Sequence, residues 1–150
     1  MAQDLKIGII GCGAIGKDHC RRIIQTVPGA TVVAVSDYAA AAADETAALY
    51  GIRSFGNDCD GMIKDPEVEA VVITSIDPTH HDYVMKVLAE KKWCFCEKPL
   101  SQNAKDCEEI MAKQPAEDAY RELASVVIDN SFGWEETADE IRELCERKFG

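Results

Sequence analysis

The sequence predicts an α/β protein: a doubly wound parallel sheet of about six strands, with helices on both faces in three layers. Three observations predict it. Short apolar runs alternate regularly with helix-forming stretches along the chain. The runs are rich in β-branched residues, as buried strands are. The first run is followed at once by glycines that open a helix.

Leu5-Lys6-Ile7-Gly8-Ile9-Ile10 is the first strand. The stretch from Ala14 to about Val27 carries apolar residues at Ile15, Ile23, Ile24 and Val27 with polar residues between, and suits a helix closed by Pro28-Gly29. The second strand is Ala30 to Ser36. Tyr38 to Tyr50 is alanine-rich and helix-forming, with Gly51 placed to cap it. Ile52 to Phe55 is a short third strand, and Asp58 to Ile63 a short helix. Ala70 to Thr74, the most apolar run, is the fourth strand. A helix follows from Asp77-Pro78-Thr79 to about Lys91. Trp93 to Cys96 is the fifth strand, and Ser101-Gln102-Asn103 caps a helix through Lys113. Beyond Pro115 the pattern restarts, with a sixth strand at Ser125 to Asp129 and a closing helix from Trp134 to Lys148.

With 150 residues and a 47% hydrophobic fraction, the chain is long enough for one domain with a buried core. The expected organisation is one domain over 1–150, with 1–114 as its main part and 115–150 as an added strand-helix unit that completes the sheet. The net charge of −11 makes nucleic acid and anionic membranes poor partners. No apolar run approaches the roughly 20 residues of a membrane span, and no signal peptide is readable, so a cytoplasmic location is expected. The seven cysteines contain no C-x-x-C pair, and their spacings support neither zinc nor a disulfide framework. They read as small buried hydrophobes, and no metal is expected. Cys94 and Cys96 should share one face of their strand, opposite Phe95.

The chemistry concentrates at Gly11-Cys12-Gly13-Ala14-Ile15-Gly16. A G-x-G-x-x-G between a strand and a helix is the context in which that pattern binds a dinucleotide. Gly11 permits the tight turn, Gly13 lets the backbone approach a pyrophosphate, and Gly16 lets the helix pack on the strand. The helix N-terminus offers free N–H groups to phosphates. Lys17 follows Gly16, but Asp18 stands where a P-loop carries Ser or Thr, so this is not a P-loop. The domain therefore reads as a Rossmann domain holding a nicotinamide dinucleotide. Asp37, closing the second strand, suits the ribose hydroxyls and repels a 2′-phosphate, which favours NAD over NADP. The same carboxylate could instead cap the next helix.

Three segments carry a family resemblance: Ile9 to Gly16 with His19 shortly after, Asp65 to Thr74 followed by His80, and Cys96-Glu97-Lys98-Pro99-Leu100. Residues 5 to about 113 resemble the N-terminal domain of the Gfo/Idh/MocA oxidoreductases, which move a hydride between a nicotinamide cofactor and a sugar or polyol carbon. The resemblance implies that Gly11, Gly13 and Gly16 hold the pyrophosphate, with loop contacts from Ala14 and Ile15, and that Asp37 holds the adenosine ribose. It implies that Thr74, Ser75 and Ile76 line the nicotinamide side with His80 near that edge. It places Glu97 and Lys98 beside the nicotinamide ribose and substrate, with Lys98 as the catalytic candidate. Read without the resemblance, Glu97 and Lys98 are equally a solvated loop pair, and His80 a capping or surface residue.

The family's enzymes are more than twice this length and complete their site with a second domain, which these 150 residues do not contain. Ala119 to Ser131 with Glu135-Glu136-Thr137 resembles instead the closing strand and helix of small-molecule P-loop kinases, without the kinase's glycine-lysine loop. The combination suggests a recombined chain. Three functions follow: a cofactor-binding domain with little or no turnover, a fold-only protein, or an oxidoreductase subunit whose site a partner chain completes. A homodimer is compatible with each.

Overall fold

The computed structural model describes residues 4–114, 128 and 133–149. Backbone contacts divide the chain into two compact units, 1–113 and 114–150. The first unit carries a five-stranded parallel sheet of β1 (Leu5–Ile10), β2 (Ala30–Ser36), β3 (Arg53–Ser54), β4 (Ala70–Ile73) and β5 (Trp93–Cys96). The strands lie in the order β3-β2-β1-β4-β5. The sixth strand expected at 125–129 falls on residues outside those described, Ile128 apart.

Helices α1 (Ala14–Thr26), α2 (Ala40–Tyr50), α3 (Cys59–Lys64), α4 (His80–Ala89) and α5 (Ala104–Met111) complete this unit. The sheet separates two apolar clusters. Ile7, Ile9 and Val72 pack with Cys20 and Ile23 of α1 and with Ala43 and Ala47 of α2. Ile10, Val71 and Ile73 pack with Met62 and Ile63 of α3, Val84 and Val87 of α4, and Ile110 of α5. All four residues of β4 are buried, so an uninterrupted apolar run suits that strand.

Local chemistry sets the boundaries. Gly51 closes α2 in the left-handed conformation, with φ 67°. Asp58 accepts from the Gly61 N–H to start α3, and Asn103 accepts from Asp106 N–H to start α5. Several boundaries differ from expectation; α2 starts at Ala40 rather than Tyr38, α3 spans Cys59–Lys64, and β4 ends at Ile73 rather than Thr74. The residues Asp77–Thr79 form a 3₁₀ turn, so α4 begins only at His80. It ends at Ala89 because Lys91 turns to φ 56°. β3 keeps only Arg53 and Ser54. α5 stops at Met111 rather than Lys113.

The β1–β2 register slips between Ile7 and Gly8, whose partners are Val32 and Ala34. Val33 is the extra residue of a bulge, so it and Ala34 both serve the α3–α5 side. In β5, Cys94 and Cys96 pack against that same cluster. Trp93 and Phe95 alternate to the opposite face and are exposed. The cysteines described are free thiols. In the second unit, α6 (Trp134–Phe149) is the one helix described; Thr137 is buried and donates its hydroxyl to the Gly133 carbonyl.

Candidate dinucleotide site

Strand order reverses at β1, where β2 lies on one side and β4 on the other. In open α/β sheets, ligands bind beyond the carboxyl ends of the strands at such a point. A cavity of about 310 Å³ opens there, lined in part by Gly11, Gly13, Asp37, Tyr38, Thr74, Ser75 and Ile76.

The three glycines of the loop serve two different needs. Gly11 sits at φ +100°, and a Cβ there would lie 2.7 Å from the backbone of Thr74 and Ser75. Gly16 is buried under the turn, and its Cβ would collide with the Gly11 carbonyl. Both are demanded by the fold. Gly13 has ordinary extended backbone, φ −71° and ψ −169°, and a Cβ there would meet nothing within 4 Å. Among the described residues, no protein atom requires glycine at this position. A ligand approaching the backbone through the open space in front of it would.

Gly13 is also the N-cap of α1, which has no side-chain cap and no acidic residue in its first turn. Ala14 and Ile15 are exposed at this helix end, Ile15 at 56%. The end therefore presents uncompensated N–H groups and the positive end of its dipole. The loop is locked to β4: Thr74 donates through its backbone N–H to Ile10 (2.8 Å) and through its hydroxyl to the Gly11 carbonyl (2.7 Å).

Asp37 accepts from Cys12 N–H through Oδ2 (2.6 Å) and from Ala39 N–H through Oδ1 (2.7 Å). It ties the glycine loop to the turn before α2; that helix has Ala39 as its N-cap and no side-chain cap, so Asp37 braces the turn rather than capping the helix. Each oxygen keeps a further acceptor lone pair, and Asp37 lines the cavity. Tyr38 beside it is 94% exposed. Tyr38, Thr79 and Tyr83 also line the cavity, and sequence reasoning had not singled them out. Burial, with the Cys59 thiol second, pushes the Tyr83 hydroxyl upward, so it remains a donor at neutral pH.

At the other end, Ile76 is 72% exposed, and the hydroxyls of Ser75 and Thr79 are 2.7 Å apart across the turn. His80, expected near the cofactor, is instead 1% exposed. Its Nδ1 lies 2.7 Å from the Pro99 carbonyl oxygen and its Nε2 2.9 Å from that of Ser75. With both nitrogens engaged by the protein, its place is behind the site wall.

Glu97 continues the sheet, its N–H donating to Ile73 (2.9 Å). The side-chain partner of Glu97 is His19 rather than Lys98. Glu97 Oε1 lies 2.7 Å from His19 Nε2, and Oε2 accepts from the Lys98 backbone N–H at 3.2 Å. The His19 ring and then the Lys98 amide hold the Glu97 carboxyl below its usual range. Lys98 itself is exposed beside this pair. The signal for His19 was available: it follows Gly16 by three residues on the same helix.

Comparison with known proteins agrees with this geometry. Residues 5–124 match the family model described as an oxidoreductase family with an NAD-binding Rossmann fold. The chain is 39% identical over 145 residues to inositol 2-dehydrogenase from Ralstonia nicotianae, covering 86% of this chain and 43% of that protein. It is 42% identical over 118 residues to the enzyme of the same name from Acidothermus cellulolyticus, 77% of this chain and 35% of that protein. Among solved structures, myo-inositol dehydrogenase from Lactobacillus casei, in complex with NAD(H) and myo-inositol, superposes with a TM-score of 0.70 at 32% identity. That match covers 74% of this chain and 33% of the other. The family match runs to residue 124, past the expected limit of 113 and into the stretch that resembled a kinase. The chain thus spans under half the length of these relatives, and it belongs to the Gfo/Idh/MocA oxidoreductase family.

Proposed function

We propose that this chain is the NAD-holding part of a polyol dehydrogenase. Asp37 would hold the adenosine ribose. Gly13 and the N-terminus of α1 would hold the pyrophosphate, and Thr74, Ser75 and Ile76 would line the nicotinamide side. Bound NAD supplies the hydride-accepting ring. The chain's own residues orient it, and Lys98 stands where its ammonium can hold or relay a proton at a substrate hydroxyl. Relatives that act on inositol make a cyclic polyol the substrate class of the complete protein. The contacts that fix such a substrate belong to the portion of the relatives this chain does not span, or to a partner chain.

The observation that carries this reading is Gly13: a glycine with relaxed backbone and empty space before it, at an uncapped helix end. Titrating the chain with NADH and NADPH tests it. NADH should bind more tightly than NADPH. Asp37→Ala should weaken NADH by roughly ten- to a hundredfold, the worth of hydrogen bonds to a charged group, and should narrow or reverse the preference. Equal binding of the two cofactors by the unaltered chain would contradict the role given to Asp37.

A further inference from the structure

Two histidines that the cofactor reading leaves unused converge on one turn. His19 rises from α1 on one face of the sheet, and His80 from the first turn of α4 on the other. His19 Nε2 contacts the Glu97 carboxylate at 2.7 Å. Its ring meets Phe95 edge-on, with centroids 5.5 Å apart, which fixes its orientation. The other carboxylate oxygen of Glu97 takes the Lys98 N–H. His80 Nδ1 reaches the Pro99 carbonyl at 2.7 Å, and its Nε2 the Ser75 carbonyl at 2.9 Å. A carbonyl oxygen only accepts, so the neutral imidazole donates to one of these two partners, according to its tautomer, and holds the other at contact distance. Lys98 is therefore flanked on both sides: Glu97 is held by a histidine from one helix, and Pro99 by a histidine from another.

We infer that His19 and His80 are positioning residues for Lys98. They form a bracket that fixes the Glu97-Lys98-Pro99 turn against the end of β4 before any ligand arrives. The physical need is clear. Lys98 is exposed on a long flexible stem, and a group that must meet a substrate hydroxyl loses its advantage if the backbone beneath it wanders. His80 adds a second function through Ser75: it couples the nicotinamide-side turn to the Lys98 turn, so the two sides of the site keep one spacing. This inference rests on the proposed cofactor site only for its consequence. The bracket itself is a property of the chain alone.

The test uses His19→Gln and His80→Gln, each alone and combined with Lys98→Ala. Amide hydrogen exchange without cofactor should be about tenfold faster at Lys98 in each histidine variant, the effect of losing a hydrogen bond that orders the turn. Val71 in the sheet core should be unchanged, which separates local release from general destabilisation. Where His80→Gln fails to fold, the half-exposed His19→Gln decides. For NADH affinity, His19→Gln and Lys98→Ala should be non-additive, because His19 acts through the Glu97-Lys98 turn. Unchanged Lys98 exchange in the folded variants, or fully additive effects on NADH, would overturn the bracket. Faster Lys98 exchange in a chain that binds no NADH would uphold the bracket and overturn the cofactor reading.

Discussion

The three loop glycines separate fold from function at the scale of single residues. Gly11→Ala and Gly16→Ala both place a methyl group against backbone, and each should lower thermal stability by well over 1 kcal/mol. Gly13→Ala meets no atom of the described residues and has no strained φ. It should leave the melting temperature nearly unchanged while weakening NADH. Thermal denaturation of the three variants beside one NADH titration checks this. Glu97 gives a pH signature. Its carboxyl is depressed in the fold by His19 and the Lys98 amide, so its stabilising contribution is full above the ordinary carboxylate value of 4.5. It is lost as pH falls through the depressed folded value, and Glu97→Gln should flatten that part of the stability profile. Burial pushes the Cys12 thiol up to about 11 and Cys94 up to about 12. Both should react slowly with thiol reagents at pH 7 until the chain unfolds. The placing of the glycines and Asp37 at strand ends was legible from spacing, whereas the Glu97-Lys98-Pro99 turn stood out only through the family resemblance. The dual role of Asp37 was not legible, since sequence spacing gives no sign that its carboxylate also grips Cys12. The burial of His80 was equally hidden, because its two partners are backbone carbonyls 5 and 19 residues away.

Among the helices, α1 differs from α3 and α5 in how it begins. The latter two have side-chain caps, and α1 has none. An acidic residue in its first turn would serve the helix and harm the site. Ile15→Glu, at a position already 56% exposed, should hold or raise the melting temperature by roughly 1–4 °C. It should also weaken NADH by repelling the pyrophosphate, and calorimetry on one variant reads both effects. Element types followed from the alternation of apolar runs and helix formers. Their ends followed less well. The Val33 bulge lies inside a continuous apolar run, where no alternation exists to break. The 3₁₀ turn at Asp77–Thr79 arises where Pro78 supports a helical turn but a tighter one than expected. β3 is short because only Arg53 and Ser54 pair with β2.

The central strands carry the molecule as a whole. β1 and β4 are buried between both helix layers, so Ile73→Ala should cost roughly 2–5 kcal/mol. That loss would carry the cofactor site with it, since Thr74 and Ser75 directly follow. The parallel order β3-β2-β1-β4-β5 places the ends of β1, β2, β4 and β5 on one rim. Residues 26 to 86 positions apart in sequence thereby meet there, from Gly11 to Asp37 and Glu97. This convergence was legible in outline, because a right-handed βαβ alternation permits few arrangements. The substrate side was not, because these 150 residues cover 43% of an inositol 2-dehydrogenase. The central claim is that this rim holds NAD, and amide chemical-shift mapping of the chain with NADH tests it most directly. The account predicts saturable shifts at Gly11, Gly13, Ala14, Asp37 and Thr74 to Ile76. No shifts at millimolar NADH, or shifts confined to other residues, would contradict it.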